Sequence, residues 1–211
     1  MGYKSLQHCI ADLHNKGELK KISKQSNPDL EMASIHLDEF AKNGKAILFE
    51  NVKGSQYKAV SNLFGSLPRS KFMFRDSLQI VKDLIEIKMN PIFAFKNPVK
   101  AFFIVLNGIF AIPKKVRFKD FKEIQINDLP QIKCWKNDGG AFITLPQVYT
   151  EDIDNPGIIN SNLGMYRVQL SGNDYDENKE IGMHYQIHRG IGVHQKKANQ
   201  KGEPLKVSIF V

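Results

Sequence analysis

The chain has 211 residues, 42% hydrophobic and 25% charged, which excludes a disordered tail and gives enough apolar surface for one large domain or two smaller ones. Its formal charge of +8 favours anionic partners, but pairs such as Lys20-Lys21, Lys114-Lys115 and Lys196-Lys197 are scattered, without the basic and aromatic clustering of a nucleic-acid surface. Cys9 and Cys134 stand far apart without CxxC spacing, which excludes a disulfide scaffold and a zinc signature and fits a reducing, cytoplasmic setting.

Leu6, Cys9, Ile10 and Leu13 share one helical face, and Gly17 is placed to end that helix. The first residues are amphipathic rather than continuously apolar, so they do not read as a secretory signal. A second helix is expected to start at Pro28 with Asn27 as cap. It would bury Leu30, Ala33, Leu37 and Phe40 and stop at Asn43-Gly44. Ala46-Ile47-Leu48-Phe49 is a continuous apolar run that reads as a buried strand. Lys53-Gly54 reads as a turn and 57–60 as the next strand.

Helical spacing returns at Leu78, Val81, Leu84 and Ile85 and again through 99–110, with breaks at Asn90-Pro91 and Asn97-Pro98. The most apolar stretch, 101–112, is shorter than the roughly 20 residues that span a bilayer and reads as a buried helix; an interfacial helix touching a membrane is the alternative. After Pro113 the apolar segments become short and β-like. A boundary near 115–130 is expected, dividing an N-terminal α/β domain (1–120) from a second domain (121–211).

Asn162 to Gly190 is the stretch most able to carry chemistry. Gly164, Tyr166, Val168 and Leu170 alternate with Met165, Arg167 and Gln169. After a polar loop, Ile181, Met183, Tyr185 and Ile187 alternate with His184, Gln186 and His188. Period-two alternation marks half-buried strands, and an antiparallel pair would bring Arg167 and Gln169 near His184, Gln186 and His188. A cation, amides and imidazoles on one sheet face can receive a phosphate, a flavin ring or a carboxylate. The same pattern also describes a face that simply meets water. Asn162 precedes Leu163-Gly164, where an Asn either forms a turn or offers a neutral oxygen to a hard cation. Asp152 and Asp154 lie beside Pro156 and Gly157 and read as loop solvation. No phosphate-binding glycine loop, G-x-S-x-G elbow or H-E-x-x-H is present.

Several ordered segments resemble the UbiD family. These are Lys16-Gly17-Glu18-Leu19-Lys20-Lys21-Ile22, Leu48-Phe49-Glu50-Asn51 and Asn62-Leu63-Phe64-Gly65, then Pro130 to Trp135, Asp138-Gly139-Gly140 and Ile143 to Pro146. The most specific are Asn162-Leu163-Gly164-Met165-Tyr166-Arg167 and Met183-His184-Tyr185-Gln186-Ile187-His188-Arg189-Gly190.

The resemblance implies an α+β architecture, with a mixed α/β domain followed by the start of a split β-barrel that binds flavin. It implies prenylated FMN supplied by a flavin prenyltransferase, with Mn2+ and K+ at its phosphate. The implied reaction is reversible, non-oxidative decarboxylation of an aromatic or α,β-unsaturated carboxylic acid, as on polyprenyl-hydroxybenzoate in quinone synthesis. Asn162 matches the metal-binding asparagine. Met165, Tyr166 and Arg167 match cofactor contacts, and Arg167 also matches the arginine that holds the substrate carboxylate. His184, Tyr185, Gln186, Arg189 and Gly190 match the second cofactor segment, in which either Gln186 or His188 takes the place of a further metal ligand. The family continues beyond Val211 with an acidic metal ligand and both catalytic carboxylates, and it assembles as homo-oligomers. The chain therefore reads as an inactive fragment of a decarboxylase. A flavin- or phosphate-binding module without activity and a basic, membrane-peripheral interaction domain are the other readings.

Overall fold

The computed structural model describes residues 2–110 and 122–211. The end of the 101–112 stretch, Lys114-Lys115 and the start of the expected boundary fall outside the described residues.

Helix α1, Leu6–Asn15, is capped by Ser5, whose Oγ accepts from His8 N at 3.2 Å, and the chain leaves it through Gly17 at φ 78°. Strand β1 (Leu19–Ile22), helix α2 (Glu31–Ala41) and strands β2 (Ala46–Phe49) and β3 (Ala59–Ser61) follow. The sheet order is β1-β2-β3, with β1 parallel and β3 antiparallel to the central β2. All four residues of β2 are buried because both of its faces are covered. Ala46 and Leu48 meet Cys9 and Leu13 of α1, while Ile47 and Phe49 meet Met32 of α2. That is why a continuous apolar run, rather than an alternating one, forms this strand.

Helix α2 departs from expectation. It starts at Glu31, because Asn27 Oδ1 accepts from Asp29 N at 3.1 Å in a local turn and Leu30 takes a left-handed φ of 64°. The helix is thereby rotated. Met32, Ile35, His36 and Glu39 turn inward, while Leu30, Leu37 and Phe40 are exposed.

Helices α3 (Leu67–Met73), α4 (Arg75–Met89), α5 (Ile92–Lys96) and α6 (Pro98–Phe110) come next. Asn90 ends α4 and Pro98 opens α6, as the breaks predict. Helix α6 is not buried. Val99, Phe102, Phe103 and Leu106 recur at helical spacing on an outer face, with Val99 68% and Phe102 61% exposed. The apolar pattern identifies a helix but cannot say whether this chain supplies its cover. No helix among the described residues is long and apolar enough to cross a membrane.

Residues 126–133 run back along the first sheet. Lys133 and Leu30 meet through their backbones, with Leu30 N donating to Lys133 O at 3.1 Å, and Ile132 packs on the Ile47–Phe49 cluster. Then come β4 (Phe142–Ile143), β5 (Gln147–Glu151), β6 (Ser161–Met165), β7 (Arg167–Gln169), β8 (Gly182–His184), helix α7 (Gly190–Lys201) and β9 (Val207–Phe210). They form two antiparallel sheets, β4-β7-β8 and β6-β5-β9. The fold is a mixed α and β one with small sheets.

The segment 164–170 is not one strand. It breaks at Tyr166, and its halves join different sheets. Strand β8 is shorter than the alternation predicts, and Ile187 is exposed in the turn beyond it. Helix α7 goes unannounced because Gly190 and Gly192 weaken the helical signal. It is held by Ile191, His194 and Ala198, spaced i, i+3, i+7, and by a 2.9 Å hydrogen bond between His194 Nδ1 and Thr150 Oγ1 on β5. The terminal strand, Val207 to Phe210, pairs antiparallel to β5.

Candidate functional site

The break at Tyr166 and the start of α7 enclose an open cleft of about 600 Å³. Asn162, Met165, Tyr166, Arg167, His184, Tyr185, Gln186, Arg189 and Gly190 all line it, together with Leu163 and Gly164. Every residue singled out from the sequence for a cofactor, metal or catalytic role except His188 is therefore brought to one place. His188 does not line the cleft, whereas Gln186 does and accepts from Arg189 Nε at 3.2 Å.

Two glycines set the walls. A Cβ on Gly164 would lie 2.5 Å from the Tyr166 ring, so only glycine lets that ring fold back against β6. Tyr166 then meets Tyr185 edge to face, with centroids 6.4 Å apart. A Cβ on Gly190 would lie 2.2 Å from Asn162 Oδ1. The first residue of α7 thus sits directly against the Asn162 carboxamide. Asn162 Nδ2 donates to Tyr166 Oη at 3.3 Å, and among the described residues no donor is assigned to its Oδ1.

Across the cleft, Arg167 is paired in register with His184. Its guanidinium lies over the Phe142 ring at 4.2 Å from the centroid, and one Nη is 3.5 Å from His184 Nδ1. No carboxylate among the described residues forms an ion pair with it, so its charge is open to an anion entering the cleft. Cys134 is near enough to feel that charge. Burial pushes the thiol up, Asp138 adds to the shift and Arg167 opposes it.

Phe142 belongs to the site although the sequence does not single it out for it. Phe142 gives only the signal of a short apolar strand. Gln169, expected on a polar face, is buried.

The donors and glycine-shaped walls suit a flat ring bearing a phosphate. The Arg167 and Arg189 guanidiniums and the Asn162 Nδ2 amide are the donors such a ligand would use, and the Gly164 and Gly190 approaches leave it room. A metal fits less well. Among the described residues no cluster of three or more His, Cys, Asp or Glu could hold one, and no carboxylate lines the cleft, whose side-chain oxygens are the neutral ones of Asn162, Gln186, Tyr166 and Tyr185. Asp152 and Asp154 are ion-paired rather than merely solvated: Asp152 Oδ2 lies 2.5 Å from Lys197 Nζ and Asp154 Oδ1 2.7 Å from Lys201 Nζ.

The family model of the 3-octaprenyl-4-hydroxybenzoate carboxy-lyase N-terminal domain matches residues 10–88, and that of the Rift-related domain matches residues 111–211. An uncharacterized protein of Chlamydia caviae is 32% identical over 222 residues, covering 100% of this chain and 36% of its own length. A 4-hydroxybenzoate decarboxylase component from Chlamydia pneumoniae is 34% identical over 217 residues, covering 98% of this chain and 35% of its own. The chain thus spans about a third of the length of these relatives. Among solved structures, Sedimentibacter hydroxybenzoicus vanillic acid decarboxylase in closed form superposes with a TM-score of 0.75 at 23% identity, over 99% of this chain and 43% of the other. An evolved dimeric form of the UbiD-class enzyme HmfF from Pelotomaculum thermopropionicum, in complex with prFMN, gives 0.69 at 21% identity, over 98% and 44%. Those two likenesses share the fold, and the two family models, matched in chain order, carry the assignment: this chain belongs to the UbiD family.

Proposed function

We propose that this chain forms the flavin-cradling part of a non-oxidative, reversible decarboxylase. Its substrate would be an aromatic or α,β-unsaturated carboxylic acid, with a polyprenyl-hydroxybenzoate of quinone synthesis as one candidate. Prenylated FMN would be the cofactor, supplied by a flavin prenyltransferase, and the working enzyme would be a homo-oligomer. The observation that carries this reading is the convergence of Asn162, Arg167, His184 and Gly190 on one cleft in which, among the described residues, Arg167 has no internal anion.

The flavin, when bound, supplies the acceptor for the electron pair released as carbon dioxide leaves. The chain's own residues bind and orient. Arg167 can grip a carboxylate through parallel N–H donors. Tyr166 and Tyr185 wall the ring site and exclude water. The first turn of α7 and the Asn162 Nδ2 amide, at the Gly190 end of the cleft, are donors that a phosphate would use. Among the described residues no carboxyl group lines the cleft, so a carboxylic acid that protonates the substrate carbon would have to come from outside it.

The test is to co-express residues 1–211 with a flavin prenyltransferase, alone and extended by the coding sequence downstream of Val211. Bound flavin and carbon dioxide release from aromatic acids are then measured. Weak flavin retention by 1–211, with retention and turnover in the extended form, supports the proposal. Flavin bound without turnover in either form favours a binding module, and no flavin in either form removes the reading.

The exposed α6 stripe favours peripheral membrane contact as a second reading. Phe95 of α5 is 87% exposed beside it, and the interval 87–107 carries Lys88, Lys96 and Lys100 with no acidic residue. Sedimentation with phosphatidylglycerol-containing vesicles, abolished by Phe102→Glu, would support it; sedimentation unchanged by that variant, or none, would not.

A further inference from the structure

Arg167 is held in place by a chain of contacts that begins two residues along its own strand, on the same face of the sheet. Gln169, two residues along β7, is 2% exposed. Its Nε2 donates to Ser171 O at 3.0 Å, and its Oε1 lies 3.2 Å from His184 Nε2. Asn173 Nδ2 approaches the same Oε1 at 3.4 Å. These partners fix the amide. Turned over, it would set oxygen against the Ser171 carbonyl and NH2 against the NH2 of Asn173. The atom facing His184 is therefore a carbonyl oxygen, which can only accept, so His184 Nε2 carries a proton.

The other imidazole nitrogen faces a group that can only donate. His184 Nδ1 is 3.5 Å from Arg167 Nη2, and an arginine has no acceptor. Nδ1 must therefore present a lone pair. One ring, held between an acceptor and a donor, is confined to a single neutral tautomer. Phe142 supports both partners from beneath, with the guanidinium stacked at 4.2 Å and the imidazole edge-on at 5.5 Å.

We infer that Gln169 is the positioning residue of this cleft: by accepting from His184 Nε2 it keeps Nδ1 free to receive Arg167, which holds the guanidinium flat on Phe142 with its remaining N–H groups toward the ligand. The inference rests on the reading that Arg167 receives an anion there, but its test does not. The nitrogen-15 spectrum of the six histidine side chains of residues 1–211 reports tautomers directly, and His184→Gln identifies the His184 signals. The wild-type chain should show His184 as the Nε2–H form. Gln169→Met, which keeps length but loses the acceptor, should move the tautomer ratio toward Nδ1–H by about fivefold, the value of one ordinary hydrogen bond. Asn173→Ala, which spares the Ser171 and His184 contacts, should leave it unchanged.

A wild-type His184 in the Nδ1–H form overturns the inference even if Gln169→Met fails to fold. An unchanged ratio in a folded Gln169→Met overturns it as well. FMN titration of the same samples and of the extended form separates the two readings: the predicted tautomer response with no FMN binding in either form removes the flavin assignment and leaves the positioning role standing.

Discussion

Arg167 rests on the ring of Phe142, guanidinium carbon 4.2 Å from the ring centroid, at the point where β7 faces the cleft. A planar, delocalised cation stacks on an aromatic face and still presents an edge of parallel donors; a lysine ammonium can do neither. Arg167→Lys should therefore leave the fold intact and lower decarboxylation by about a hundredfold in an active form of the enzyme, the scale of losing an oriented donor at a reacting carboxylate. Turnover within a few-fold of wild type would remove Arg167 from the site.

Gly190 and Asn162 make a second, independent test. Because a Gly190 Cβ would lie 2.2 Å from Asn162 Oδ1, Gly190→Ala must displace that carboxamide without touching its chemistry. Asn162→Ala removes the oxygen itself. Both variants should lose flavin retention to a similar degree, measured as the ratio of flavin absorbance to protein after gel filtration. If Asn162→Ala retains flavin like wild type, Asn162 is only a residue of strand β6.

Much of the fold and the cleft is legible in the sequence, and the failures have local causes. The run 46–49 announces a strand covered on both faces because its composition leaves no polar side. The residues of the cleft are found through ordered motifs that resemble the UbiD family; the alternation by itself leaves open a face that simply meets water. The start of α2 is misleading because Pro28 and Asn27 satisfy the pattern of a helix start, while the Asn27 turn and the left-handed Leu30 delay it. The burial of Gln169 is hidden because period-two alternation cannot tell that a polar side chain will find Ser171 O and His184. Helix α6 illustrates the converse. Its apolar stripe is visible, but burial depends on a neighbour that a pattern does not contain.

Acid should act on the clamp between β5 and α7. The Lys197 ammonium, with the Asp154 and Asn155 amides, holds the Asp152 carboxyl down to about 2. A folded-state value below the unfolded one, about 3.9, stabilises the fold above that unfolded value and loses the contribution as pH falls through about 2. Asp152→Asn should therefore melt earlier than wild type near neutrality. The gap in Tm should close between about pH 4 and about pH 2. A gap independent of pH across that interval would mean that the ion pair does not contribute.

Arg69 offers the sharpest test of what holds the first sheet together. It is 2% exposed, an unusual place for a guanidinium, and it donates to Asn62 O at 2.7 Å, Leu63 O at 2.9 Å and Gly44 O at 2.9 Å, with Glu18 Oε2 at 3.3 Å. The backbone of the Asn62-Leu63-Phe64-Gly65 turn, the loop before β2 and the end of α1's exit are thus tied to one side chain on α3. Asn62 takes a left-handed φ of 56° to aim its carbonyl there. Removing the cation takes a charged donor from three carbonyls, each such bond contributing about 1.5–3 kcal/mol, and leaves Leu63 O with no donor among the described residues, while Asn62 O keeps Gly65 N and Gly44 O keeps Asn62 Nδ2. Arg69→Met should accordingly lose about 3 kcal/mol or more in urea unfolding. Arg69→Lys should recover only a fraction of the loss, because one ammonium cannot reach carbonyls spread around a planar fork. The measurement is the urea midpoint at constant slope, so that a change in stability is separated from a change in the unfolded state. A loss below about 1 kcal/mol for Arg69→Met would show that water replaces the guanidinium and that the turn is held by its own backbone.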